Sequence, residues 1–404
     1  MQVKNLSDRR FGLWIIIGLI AALYFLTLIR NHTESDDGLW YMYVVSYCDI
    51  TYQFNPHNLF YCIINYLFYN FWRFCGYPGS SEITMEFLNV IAGACVLLGV
   101  YFFTVKLKFP RILILFCLAT TAFSYAFWKY SVDCEAYIFP IIFILLAFHR
   151  FTQIQKSPLV FKNHVLLGIF NAMAILMHLQ HILLVFVVLF GYGYIFISAK
   201  NKNDIKSYKF LVCILLYLIV CLSLVLFAYV LVAIFVKGFS KYSDILKWSM
   251  MYVNIGNWGW EISAIPETVA AFSRAFVGGH FIYAIPWVKS LLLRMFPEYL
   301  LREEIYLVSH FSILQSLILS LLFFAFLGTL IYVTLYLIKC KSLKLLRNYF
   351  YDQGQFLFLL IFCVYIAVYT LFAMALRPVG TRFFCSINTF RCYVIQHANN
   401  SGNR

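Results

Sequence analysis

Residues 165–199 read VLLGIFNAMAILMHLQHILLVFVVLFGYGYIFISA, 35 residues without a charge. As a single helix this run would be about 52 Å long at about 1.5 Å per residue. A bilayer's hydrocarbon core is about 30 Å thick, and about 20 apolar residues cross it. The run therefore fits two short spans turning near MHLQHI, residues 177–182. The same argument makes residues 112–148 a hairpin turning at KYSVDCEAY, residues 129–137. Its second arm, 136–148, leaves only 13 to 16 residues for a span.

Composition agrees with the bilayer reading. Of 404 residues, 63% are hydrophobic and 12% charged, whereas soluble chains carry about 25% charged residues. Further uncharged runs occupy 11–29, 87–105, 210–236, 311–338 and 353–376. Arg9 and Arg10 precede the first of these. A signal peptide has a shorter apolar core and a small-residue cleavage site. LTLIRNHTES, residues 26–35, offers no such site, so the first run reads as an uncleaved helix. The net charge of +14 comes from basic residues in short loops between apolar runs, which argues against nucleic acid as a partner. Twelve cysteines, mostly inside the runs and without CxxC spacing, read as small hydrophobes.

Orientation follows from those basic loops. Nine spans with a cytoplasmic N-terminus place five groups inside: Lys4, Arg9 and Arg10; Lys106, Lys108 and Arg111; Arg150, Lys156 and Lys162; Lys200, Lys202, Lys206 and Lys209; and Lys339, Lys341, Lys344 and Arg347. Collapsing either hairpin would send later basic loops outside. The expected fold is an all-α polytopic integral membrane protein over residues 1–376, with about nine transmembrane helices. A polar tail, 377–404, reads as a truncated or frame-shifted end or as an ordinary disordered tail. The long outside segments, 30–86 and 237–310, are rich in aromatic residues, as in LFYCIINYLFYNFWRF, residues 59–74. Amphipathic helices lying in the interface read this way.

The polar residues collect on the outer face. TESDDGLWY, residues 33–41, places Asp36 and Asp37 just after the first run, in a chain with only 17 acidic residues. Asp49, His57, Lys129, Asp133, Glu135, His178 and His181 fall on the same side. No carboxylate or cation sits mid-span, which argues against an ion-coupled transporter. Plainer readings stand beside each candidate. Asp36 and Asp37 could be solvated acids, and FNPHNLFY, residues 54–61, could be a turn into an interfacial helix opened by Pro56. Glu135 could complement a helix dipole. His178 and His181, three apart, would share a helix face, a spacing that suits a metal but is weak as a pair alone.

In order, these pieces resemble the GT-C superfamily of polytopic glycosyltransferases, which includes protein O-mannosyltransferases and bacterial enzymes using polyprenyl-phosphate sugars. The likeness lies in ESDDGLWY after span one, FNPHNLFY, FWKYSVDCEAYIFP (127–140), AILMHLQHILLVF (174–186) and, weakly, LRPVGTRFF (376–384). The acidic residue after span one corresponds to Asp36 or Asp37, the Pro-His segment to Pro56 and His57, and the Glu-x-Tyr motif to Glu135 and Tyr137. The resemblance implies a glycosyltransferase moving a sugar from an isoprenoid-phosphate donor to an acceptor hydroxyl on a lipid, glycan or protein. Its setting would be a bacterial inner membrane, with the site facing the periplasm. Asp36 or Asp37 would be the base, with Asp36, nearer the helix end, preferred. Asp133 or Glu135 would orient hydroxyls or hold a divalent cation if one is used. Lys129, His178, His181, Arg274 or Arg377 would meet the departing phosphate. A transporter or lipid flippase is the alternative, and a membrane assembly factor a third class.

Overall fold

A computed structural model of the 404-residue chain describes residues 6–28, 36–107, 109, 111–200, 207–251, 286–295, 328, 331, 332, 335 and 355–375. All regular elements among these residues are helical. Contacts divide the chain into two compact units, Met1–Ile255 with Leu343–Tyr369, and Gly256–Ser342 with Thr370–Arg404. Of the second unit, the clearest element is α12, Pro286–Met295. Proline's fixed φ suits that first helical position. Trp287 and Leu291, one turn apart, form an exposed apolar face on it.

In the first unit, α1 (Leu6–Leu26) packs against α4 (Ser81–Lys106) and α6 (Tyr125–Val132). The α4 helix also contacts α7 (Ile138–Lys156), which packs on α8 (Phe161–Met177). The α8 helix lies against α10 (Ser207–Leu231), and α9 (Leu183–Lys200) joins the same apolar cluster. The part of α13 (Gln355–Ala375) up to Tyr369 belongs to this unit and supplies Ile361 to that core. Gly168 sets the close approach of α8 to α10. A Cβ there would stand 2.9 Å from the Tyr217 backbone oxygen, the small-residue contact that lets membrane helices pack backbone to backbone.

Among the described residues, four helical segments are long and apolar enough to cross a bilayer: Ser81–Lys106, Ile138–Lys156, Leu179–Ile197 and Tyr208–Val236. Arg111–Phe123 (α5) and α6 make a fifth if the bent pair is one span. Trp14–Leu26, Phe161–Met177 and Cys363–Phe372 are apolar but shorter. Among the described residues, length and composition thus give four or five spans, where the sequence pattern gives nine over the whole chain, and the run 311–338 lies almost wholly outside the described residues.

Two expected elements differ in shape. The run 112–128 is broken by 56° between α5 and α6. Here Thr121 Oγ1 donates to the Cys117 carbonyl at 2.8 Å and Ser124 Oγ to that of Thr121 at 3.0 Å. Hydroxyls returning to backbone carbonyls in this way bend helices. Across the bend, the Tyr24 hydroxyl donates to the Ala122 carbonyl at 2.6 Å and Trp128 Nε1 to Thr27 Oγ1 at 2.9 Å. The short fourth run becomes the 19-residue α7, which continues past the apolar stretch through His149 and Arg150.

The first outside segment is helical and partly buried. The two aspartates after the first run head a separate helix, α2 (Asp36–Tyr47), rather than ending α1. A 3₁₀ turn, Ile50–Gln53, and α3 (Tyr61–Phe74) follow. The α3 helix buries Tyr61, Cys62, Asn65 and Tyr69, one face of a helix. Its other side exposes Leu67, Phe71 and Phe74, as an interfacial helix would. Beyond α10, a π turn (Val232–Val236) leads to α11, Tyr242–Ser249.

Candidate active site at two helix breaks

The two turns expected from run length are where the helices break. Between α6 and α7 the chain passes through an extended Asp133. Between α8 and α9, His178 is extended at φ −159° and a 3₁₀ turn, Leu179–Ile182, follows. His178 and His181 therefore flank and occupy a break, and do not share the face of one α-helix.

Broken helices leave backbone groups that need partners. Segment 57–60 supplies them at the second break. Leu179 N–H donates to the His57 carbonyl at 2.8 Å, and Phe60 N–H to the Leu176 carbonyl at 3.0 Å. The segment is itself shaped by an Asn55 side chain that accepts the His57 N–H at 2.9 Å. The Tyr229 hydroxyl from α10 donates to the Pro56 carbonyl, and Lys237 Nζ to that of Thr51. At the first break, Asn89 of α4 donates to the carbonyls of Asp133 and Glu135 at 2.5 and 2.9 Å. That amide fixes the loop on both sides of Cys134.

These fasteners bring distant rings together. The His57 and His178 ring centroids are 4.3 Å apart, and those of His178 and Tyr137 are 4.9 Å apart. Tyr137 continues to Tyr130 at 4.6 Å, and His178 to His181 at 5.9 Å. His181 Nδ1 and the Tyr369 hydroxyl share a hydrogen bond of 2.8 Å. Lys129 joins at the edge, its Nζ 5.9 Å from the Tyr130 ring centroid.

The carboxylates meet the same group. Glu135 is buried, and Asp37 is exposed at the start of α2. Burial holds the Tyr41 hydroxyl well above the ordinary phenol range, and the negative charges of Asp37 and Glu135 push it further. The Tyr137 hydroxyl is raised by burial and then by Glu135, Tyr130 and Asp37. Two acids from segments about a hundred residues apart therefore act on the same two phenols. Asn58 Nδ2 donates to the Tyr41 hydroxyl at 2.5 Å.

Burial lowers the pKa of His57. That of His178 is depressed well below the usual imidazole value by burial, with His57 and His181 adding to the effect. Both rings are neutral near neutral pH, so they offer hydrogen bonds rather than charge, and this holds for His178, which was expected to meet the departing phosphate. His178 Nδ1 and Asn58 Oδ1 are buried without a hydrogen-bond partner among the described residues.

Asp37, Glu135, His57, Tyr137, His178 and His181 thus belong to one neighbourhood. Asp133 serves the loop. It is buried, and its Oδ1 accepts the Cys134 N–H at 2.8 Å. Arg377, Arg274 and the side chain of Asp36 lie outside the described residues. Sequence reading missed Tyr41, Asn58, Asn89, Glu86 and Tyr369. Tyr41 carried a usable signal, since it stands one helical turn after Asp37. Glu86 is a carboxylate buried in the second turn of α4, beside Cys134. No group of three or more His, Cys, Asp or Glu side chains among the described residues could hold a metal ion.

No protein-family model matches the chain, and no curated protein matches it in sequence.

Proposed function

We propose that this protein is a membrane glycosyltransferase that moves a sugar from a polyprenyl-phosphate donor to an acceptor hydroxyl on the periplasmic or lumenal face. The observation that supports it is the convergence of Asp37 and Glu135 on Tyr41 and Tyr137, beside two neutral histidines. In this reading nine helices span the membrane, and the basic loops hold the site outside.

Asp37 takes the acceptor's hydroxyl proton. The acceptor oxygen bonds to the anomeric carbon as the carbon–oxygen bond to phosphate breaks, and the electron pair leaves with the phosphate, inverting the sugar carbon. Asp37 is taken as the base because its charge reaches Tyr41 and Tyr137. Its exposure leaves it open to the acceptor. Glu135, buried beneath, orients hydroxyls through the same two tyrosines. His57 and His178 bind sugar or acceptor groups as neutral imidazoles. Lys129 is then the cation at the site's edge that can meet the departing phosphate.

Lipid and glycan mass spectrometry of cells with and without the gene tests the reaction. A glycosylated species should vanish without the gene and stay absent when the Asp37→Asn variant is supplied. Its return with that variant would remove Asp37 as the base. A transporter or lipid flippase would instead change where a lipid-linked sugar accumulates without changing which glycans exist. Topology is tested in a background freed of native cysteines. Cysteine introduced at Asn55 or Asn257 should react with an impermeant reagent from outside, in protoplasts where an outer membrane intervenes. Cysteine at Asn203 should react only after permeabilisation, and labelling of 203 from outside would overturn the orientation.

A further inference from the structure

The helices α4 and α7 pack on each other and end on the same side, each in a lysine, Lys106 and Lys156. Both are long and apolar enough to cross a bilayer. This end stands about 26 Å along α4 from Asn89 at the candidate site, at about 1.5 Å per residue.

Four basic side chains converge here. Lys106 Nζ and His149 Nε2 lie 3.0 Å apart. The charges of Lys156 and Arg150 act on Lys106, and those of Lys106 and Arg150 act on His149. Like charges this close repel. No acidic residue occurs from 87 to 132 or from 136 to 203. The rest of α4 after Glu86 and all of α5 to α9 therefore bring no carboxylate to this end.

The helix dipole accounts for the two lysines, because it favours cations in the last turn. It does not account for His149 and Arg150, which stand about two turns before the end of α7. Arg150 Nε is buried without a hydrogen-bond partner among the described residues. Leaving a charged donor unpaired in this way costs free energy. Arg150 itself is only half-buried, which leaves its guanidinium within reach of a ligand.

We propose that Lys106, His149, Arg150 and Lys156 form a binding site for a phosphate group, at the end of the helices remote from the candidate active site. A phosphate brings the negative charge that these helices do not supply. Its oxygens accept from the fork of an arginine and from an ammonium alike. Two sources share this chemistry, the headgroup of an anionic phospholipid and a soluble phosphate monoester. The site is independent of the glycosyltransferase reading, since it uses none of the residues of that site.

The full chain in nanodiscs tests this, with two probes that separate the sources. In discs of equal phosphatidylglycerol and phosphatidylcholine, native mass spectrometry should show preferential retention of phosphatidylglycerol if a lipid is the source. In discs of phosphatidylcholine alone, added glycerol 3-phosphate should broaden in phosphorus NMR if a soluble ester is the source. Whichever probe binds, Lys106→Gln should weaken it about fivefold, the worth of one lysine at such a surface. Arg150→Lys keeps the charge and loses the fork, and should weaken binding at least as much. Lys209→Gln, at an exposed lysine on α10, should leave binding unchanged. If Arg150→Lys impairs folding, Lys106→Gln and Lys209→Gln, both at exposed positions, keep the comparison available. Binding of neither probe would overturn the site. So would equal losses in Lys106→Gln and Lys209→Gln, or full binding by a folded Arg150→Lys protein, since either describes diffuse attraction to a basic surface.

Discussion

His164 and His178 sit at opposite ends of α8, and both are buried. His164 has both ring nitrogens engaged, Nδ1 with the Tyr192 hydroxyl at 2.7 Å and Nε2 with the Pro158 carbonyl at 3.0 Å. His178 lies in a helix break, meets the rings of His57, Tyr137 and His181, and keeps Nδ1 without a partner among the described residues. Burial alone does not separate a structural histidine from a working one. The satisfaction of its nitrogens does, because a group that costs free energy to bury unpaired persists where something other than packing retains it.

The largest effect that could break this contrast is catalytic. Asp37→Asn keeps size and removes basicity, so turnover should fall about 10²–10⁴-fold while donor binding survives. Glu135→Gln should cut turnover less, through orientation. Wild-type turnover in a stably inserted Asp37→Asn protein would detach the polar end from chemistry altogether.

The histidines themselves come next. His164→Phe leaves the Tyr192 hydroxyl and the Pro158 carbonyl without their partner, a loss of about 1–3 kcal/mol in stability. Turnover per folded molecule should stay unchanged. His178→Phe should do the opposite, lowering turnover with little loss of stability. Thermal unfolding in detergent, paired with transfer assays, separates the two. A swap of these outcomes would reverse the assignment.

Gly168→Ala puts a methyl 2.9 Å from the Tyr217 oxygen and should cost roughly 1–3 kcal/mol by overpacking. Denaturant titration can compare it with Gly193→Ala on α9, where a Cβ would meet nothing within 4 Å and the cost should be small.

The smallest effect is on pH dependence. Burial depresses the pKa of His57 and, more deeply, of His178. Below about pH 6.5 the unfolded chain binds protons at these sites that the folded chain refuses. Stability should therefore rise with pH from the depressed folded values up to about 6.5, then level off. In His178→Phe the slope in that window should shrink. An equal slope in the variant would show that other groups carry the acid sensitivity.

Much of the polar end was legible in the sequence because bilayer thickness is a ruler. Residues 165–199 and 112–148 exceed one crossing, so they had to turn, and the turns hold Glu135, Tyr137, His178 and His181. Asn89 and Tyr369 were not legible. Asn89 acts through the carbonyls of Asp133 and Glu135 and Tyr369 through His181, contacts set by tertiary packing, and an asparagine in an apolar helix or a tyrosine among many carries no local pattern. The bend at Ser124 was written as three hydroxyl residues, Thr120, Thr121 and Ser124, inside an apolar run, a signal that hydropathy averages away. His178 and His181 were given a helix face because spacing assumes a helix. The break that holds them abolishes that premise.

The pairing of segment 57–60 with the 176–179 break also sets an order of events during biosynthesis. Tyr229, which fastens Pro56, follows it by 173 residues. At about 5–20 residues per second, roughly 10–35 s pass between their emergence from the ribosome. Until α8 and α10 have inserted, the Pro-His segment has only water for its carbonyls, and no complete site exists. A nascent chain stopped before residue 229 would hold the aspartates and Glu135 without the tyrosine that anchors Pro56. On the proposed reading, sugar transfer begins only once α10 has been made.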